Sequence, residues 1–148
     1  MVNSIQDKFH KQHIMKTKVL KAIITGGKDQ FGAWIENVSG AYGAGDTIEE
    51  TKNSLLEGIE LLKEGGIDVP KELMEPYEIE FTFDTSGFLK YYSKYISFAG
   101  MKEITGINQK QLWSYASGYR NPSKETSKKI FNSIQAFSKE ISQIHFSF

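Results

Sequence analysis

No position divides this 148-residue chain more sharply than the one near residue 85, where both the charge and the hydrophobic period change. Residues 1–84 carry nine lysines against fifteen acidic residues, a net of −6. Residues 85–148 carry nine basic residues against three glutamates, a net of +6. The whole-chain charge of zero therefore hides two electrostatically different halves. Such an asymmetry points to a basic binding module beside an acidic one. Halves of this size lie near the lower limit for an independent core, so association would help both.

Several classes are excluded at once. The chain has no cysteine, which removes disulfide scaffolds, thiolate zinc sites and cysteine nucleophiles. No apolar stretch approaches the roughly 20 residues of a membrane span. Residues 1–18 are polar and lack the apolar centre of a secretory signal. A soluble, cytoplasmic protein is expected.

In the acidic half, residues 1–16 show no clean periodicity and read as an arm or short helix, and 1–17 are set apart as an N-terminal arm. Val19, Leu20, Ala22, Ile23 and Ile24 form a β-prone run ended by Gly26-Gly27, with Lys28-Asp29-Gln30 as turn chemistry. A second, aromatic and β-branched run covers 31–38 and is closed by Ser39-Gly40, so the two predict a hairpin. Gly40, Gly43 and Gly45 then read as a loop of close approach. They lack the Walker Lys-Ser/Thr pair and the third glycine of a dinucleotide fingerprint, which favours a tight strand-to-helix connection over a phosphate cradle.

Asp46 with Glu49 three residues on predicts a helix cap. Ile48, Leu55, Ile59 and Leu62 then define one apolar helix face, and Gly65-Gly66 stops the helix. Tyr77, Ile79, Phe81 and Phe83 alternate with Glu78, Glu80, Thr82 and Asp84, a strand with one apolar and one acidic face. The half reads β-β-α-β.

Its carboxylates lie on the solvent side of that helix and on one strand face. A metal-dependent nuclease would need them converging from strand ends, and the first strand has none. His10 and His13 share a helical face but have no third ligand tied to them. No Ser/His/Asp set can be assembled. No catalytic residue, cofactor or metal is expected.

The run Gly32-Ala33-Trp34-Ile35-Glu36-Asn37-Val38-Ser39-Gly40, then Gly45-Asp46-Thr47-Ile48-Glu49-Glu50-Thr51 and the Leu/Ile-rich helix, resembles the HicB antitoxin domain over residues 18–84. The resemblance implies a partial RNase H-like fold without nuclease residues. It also implies a partner, a small HicA-type mRNA interferase toxin. The outward acidic positions Glu50, Glu57, Glu78 and Glu80 are the candidates for contacting it.

In the basic half, Phe88, Tyr92, Ile96 and Ala99 predict a first helical face, and 101–105 a second, short helix. Gly106-Ile107-Asn108 is a turn in which a left-handed glycine lets two helices meet steeply. Asn108 caps a helix over 109–117 with Leu112 and Tyr115 inward and Trp113 outward. Gly118 stops it. Ser123 caps a last helix lined by Ile130, Ile134, Phe137 and Ile141. Ile141, Ile144, Phe146 and Phe148 carry the apolar pattern past the compact domain, as a subunit contact or a tail folded back on its own core.

Ile104-Thr105-Gly106-Ile107-Asn108-Gln109-Lys110-Gln111-Leu112-Trp113-Ser114-Tyr115, followed by Gly118-Tyr119-Arg120-Asn121-Pro122-Ser123, resembles the phage-repressor (XRE-type) helix-turn-helix family. Duplex DNA is the implied partner, bound on a two-fold operator by a homodimer or a higher homo-oligomer. Gln109, Lys110 and Gln111, with Ser114 one turn later, are placed to reach base edges, since Gln suits adenine and Lys suits guanine acceptors. Asn108, Ser117, Arg120 and Lys124 are placed for phosphate contacts.

The expected fold class is α+β: a small β-β-α-β partial RNase H-like sheet domain (18–84) followed by an all-α helix-turn-helix domain (87–148). The expected function is that of a type II antitoxin that occludes its toxin and represses its own operon. The alternative is a one-component transcription regulator whose N-terminal domain senses a small molecule.

Overall fold

A computed structural model describes residues 17–148. The expected N-terminal arm apart from Thr17, together with His10 and His13, lies outside the described residues. The fold is α+β. Its elements are β1 (Lys18–Thr25), β2 (Phe31–Ile35), β3 (Val38–Gly45), α1 (Ile48–Gly65), a 3-10 turn (Lys71–Leu73), β4 (Tyr77–Phe83), α2 (Thr85–Tyr92), α3 (Phe98–Thr105), α4 (Gln109–Ala116) and α5 (Lys124–Ser142). They fall into two compact units. One holds the described residues up to Ile24 together with Gly32–Thr82; the other holds Thr25–Phe31 together with Phe83–Phe148.

The four strands form one sheet in the order β3-β2-β1-β4. The Lys18 N–H donates to the Pro76 carbonyl at 3.4 Å, and the Lys18 ammonium meets the Glu75 carboxylate at 3.2 Å. Strands β1 and β4 therefore start at the same end and run parallel, which makes the sheet mixed. Leu20, Ala22, Ala33, Ile35, Val38 and Ala41 are buried on the sheet, and Thr51, Leu55 and Ile59 of α1 are buried against it. Lys52 and Lys63 of α1 lie over the rings of Phe81 and Tyr77. By strand alternation, Glu78 and Glu80 point to the opposite face of the sheet.

Two expectations in this unit are corrected. Residues 31–38 are not one strand. Glu36 and Asn37 form a two-residue turn, with Asn37 left-handed at φ 63°, and the run splits into β2 and β3. Asparagine tolerates that region because its short polar side chain bonds locally. The glycine segment after it is accordingly strand β3 rather than a loop, and the order is β-β-β-α-β.

Those glycines serve close packing. A methyl on Gly43 would lie 2.4 Å from the Leu55 backbone nitrogen, and one on Gly58 would lie 2.8 Å from the Tyr42 carbonyl. Strand β3 and helix α1 thus meet backbone to backbone. The helix cap is displaced by one residue as well. The Thr47 hydroxyl accepts from the Glu50 N–H at 3.1 Å, while the Glu50 carboxylate accepts from the Asp46 N–H at 3.0 Å.

In the second unit, Leu89, Met101, Ile107, Leu112, Tyr115, Ala116 and Ile130 form one core, with Phe88, Tyr92, Ile96, Phe98 and Ile134 packed around it. The expected face from Phe88 to Ala99 is interrupted. Helix α2 starts at Thr85, where the Asp84 carboxylate accepts from the Gly87 N–H at 2.7 Å, and it ends at Tyr92. A turn follows, and Ser97 caps α3, which begins at Phe98 rather than 101. Ile96 packs from the turn and Ala99 sits exposed on α3. The cap competes locally with helix continuation, since a serine hydroxyl satisfies a first-turn N–H.

Candidate nucleic-acid interface

Helices α3 and α4 are joined by three residues. Gly106 caps α3 in the left-handed region at φ 73°, where no Cβ penalty applies, and its N–H donates to the Lys102 carbonyl at 2.7 Å. Ile107 is buried in the core. The Asn108 carboxamide oxygen then accepts from the Lys110 N–H at 2.8 Å and starts α4. Lys102, on α3, is exposed.

The orientation of α4 follows from what it buries. Leu112, Tyr115 and Ala116 face the core. At 3.6 residues per turn, the opposite direction is shared by Lys110, Ser114, Ser117 and Trp113. Gln109 and Gln111 stand on its two flanks. Gln109, Lys110 and Gln111 are all exposed, and the first turn of α4 carries no acidic residue.

Three side chains have internal partners. The Gln111 amide donates to the Tyr115 hydroxyl at 2.7 Å, the Ser114 hydroxyl to the Lys110 carbonyl at 2.9 Å, and the Ser117 hydroxyl to the Trp113 carbonyl at 2.8 Å. These bonds hold the side chains in place and leave the hydroxyl oxygens able to accept. Arg120 and Lys124 are exposed beyond the end of α4.

Sequence reasoning missed Tyr119. Gly118 turns the chain at φ 77°, and Tyr119 folds back so that its ring stacks on Trp113 at 5.4 Å between centroids. The two remain 59% and 47% exposed. This makes an exposed aromatic pair, with Arg120 next to it in the chain. The only signal in the sequence was an aromatic residue on each side of a helix-stopping glycine.

Also missed was the cluster at the end of α2. Tyr91, Tyr92 and Tyr95 contact one another, and the Lys94 ammonium lies 4.1 Å from the Tyr91 ring centre. Hydrogen bonding from Lys94, joined by Tyr95, holds the Tyr91 hydroxyl below its ordinary value. In the same unit, the Lys90 ammonium donates to the Gly27 carbonyl at 2.8 Å and lies over the Phe31 ring.

The four acidic candidates do not form one patch. Glu50 is engaged in the α1 cap and Glu57 is exposed on the same helix, whereas Glu78 and Glu80 are exposed on the sheet face away from that helix. Among the described residues, no group of three or more His, Asp or Glu side chains is close enough to hold a metal, and no helix is long and apolar enough to cross a membrane. The unit also has an open cleft of about 860 Å³ lined by Lys63, Asp68, Leu73, Met74, Glu75 and Tyr77. No protein-family model, curated protein or solved structure matches this chain.

Proposed function

We propose that this chain is a HicB-type antitoxin whose second unit is a helix-turn-helix module that binds operator DNA. One observation carries the reading: α4 follows a three-residue, glycine-capped turn and presents Lys110 and Ser114 on the side away from its buried residues, with Gln109 exposed on one flank. A helix so placed enters the major groove with its N-terminal residues at base edges. Arg120 and Lys124 supply the nonspecific phosphate attraction, in keeping with the +6 net charge of residues 85–148.

The strand order, with β4 parallel beside β1 and one helix crossing between sheet edges, supports a partial RNase H-like reading of the first unit. Its excess of carboxylates suits a basic RNA-cleaving toxin, which must itself attract phosphates. Opposite charge would speed the encounter, and occlusion would then block the toxin. No catalytic step is assigned to this chain. The sensor alternative calls for an enclosed apolar pocket. The cleft beside Lys63 is open and carries charges of both signs.

The test uses the DNA upstream of the protein's own reading frame and the product of the adjacent frame. A variant carrying Gln109→Ala, Lys110→Ala and Ser114→Ala should lose preference for that DNA over a scrambled duplex while still rescuing growth against the neighbouring product. Simultaneous loss of both activities would overturn the two-module reading. Rescue should also depend on a complex that weakens as salt rises.

A further inference from the structure

Among the described residues of α4, Trp113 alone is both apolar and exposed. The other outward residues, Gln109, Lys110, Ser114 and Ser117, are polar, and the helix carries no carboxylate. Packing on the core does not explain an indole left half in water, since Leu112, Tyr115 and Ala116 already fill that role.

The chain after α4 is bent back onto it. Gly118 is left-handed at φ 77°, and its N–H donates to the Tyr115 carbonyl at 3.2 Å. The Arg120 N–H donates to the Ser114 carbonyl, also at 3.2 Å. These bonds anchor the residues on either side of Tyr119, whose ring lies 5.4 Å from the Trp113 indole and 25° from its plane. The pair is an apolar surface held in shape by the backbone, so little ordering remains to be done when a ligand meets it.

We propose that this surface reads the 5-methyl group of thymine in the operator, which makes Trp113, supported by Tyr119, a specificity-determining residue. The proposal rests on the operator-binding reading and adds a base preference to it. Two arguments select thymine. In the major groove its methyl is the one apolar substituent that a base pair presents, beside hydrogen-bond donors and acceptors. An aromatic ring laid on a polar edge strips its water and returns no hydrogen bond, which is costly, whereas burying a methyl is favourable.

The position also fits. Trp113 follows Gln109 and Lys110 by four and three residues, one helical turn. Four residues of helix advance about 6 Å, and successive base pairs are about 3.4 Å apart. With Gln109 bonded to an adenine, the thymine under Trp113 lies within about two base pairs of it.

The experiment uses the full chain and the duplex upstream of its own reading frame. Each thymine is replaced in turn by deoxyuridine, which lacks only the methyl. At one or two positions this should weaken binding about fourfold, the worth of one buried methyl group. Trp113→Ser should bind the thymine and uridine duplexes equally. Tyr119→Ala, outside the helix, should shrink the penalty at the same positions, so the result does not depend on how well Trp113→Ser folds. Placing 5-bromouracil there puts a photoreactive atom where the methyl stood, and irradiation should attach the base to the segment holding Trp113 and Tyr119.

Full preference for the upstream DNA with no uridine penalty at any position would overturn this proposal alone. So would a penalty that survives both variants, since another side chain would then read the methyl. Variants that weaken thymine and uridine duplexes alike, with the penalty unchanged, would place the pair on the sugar-phosphate backbone instead. No preference for the upstream DNA over a scrambled duplex would overturn the operator reading, and this one with it.

Discussion

The Ser86 hydroxyl donates a 2.6 Å hydrogen bond to the Tyr115 carbonyl, joining the first turn of α2 to the last turn of α4 across 29 residues of chain. Ser86 is buried. The Tyr115 carbonyl also accepts from the Gly118 N–H at 3.2 Å, so the serine is its second and closer donor. Ser86→Ala removes the shorter of these two bonds and should cost about 0.5–1.5 kcal/mol. Urea unfolding followed by tryptophan fluorescence measures the loss, and an unchanged midpoint would remove this bond from the account of how α4 is held.

Gly43 and Gly65 offer an internal comparison. A Cβ on Gly43 would strike the Leu55 backbone, whereas one on Gly65 meets nothing within 4 Å. Gly43→Ala should therefore destabilise by about 1–3 kcal/mol through overpacking, while Gly65→Ala should be neutral or stabilise by up to about 1 kcal/mol. Equal denaturation midpoints for the two variants would contradict backbone-to-backbone contact between β3 and α1.

Lys110 and Arg120 should fail in different ways. Lys110→Ala removes a candidate base contact, and it should lower the preference for operator over random duplex by about 1–3 kcal/mol. Arg120→Ala should weaken all duplexes alike and reduce the slope of log affinity against log salt by about one. Fluorescence anisotropy titrations at several salt concentrations separate the two effects. Identical behaviour of the variants would argue against the assigned roles.

Tyr91 should ionise below the ordinary tyrosine value. Its hydroxyl is held below the ordinary 10.0 by hydrogen bonding from Lys94, with Tyr95 adding to it. Because the folded value is lowered, the group adds stability only as pH rises past that value, and none at neutral pH. Tyrosinate absorbance on raising the pH should show an early component that Tyr91→Phe removes and Lys94→Met returns to the main transition. An early component that persists in both variants would place the effect on another residue.

Much of this was legible in the sequence, and the rest was not, for reasons that can be named. The alternation through Tyr77, Ile79, Phe81 and Phe83 specifies β4, because period-2 apolarity has one way to bury. Asn108 and Ser123 announce the starts of α4 and α5, since capping is local chemistry that needs no tertiary partner. The turn at Glu36-Asn37 was hidden because both flanks are equally β-prone. The glycines of β3 resembled a loop because what they accommodate, the backbone of α1, is distant in sequence.

By itself, then, the amino-acid sequence determined two electrostatically opposed halves, an α+β class, the helix that presents Gln109, Lys110 and Ser114, and the unbroken seven-residue rhythm of α5. Only the tertiary structure decided that Glu50 and Glu80 lie on different faces, that Tyr119 stacks on Trp113, and that the α5 stripe passes from buried to exposed between Ile130 and Ile141. Periodicity states which residues share a side. Whether that side is covered depends on where the neighbouring elements end, and that is set by packing between residues far apart in the chain.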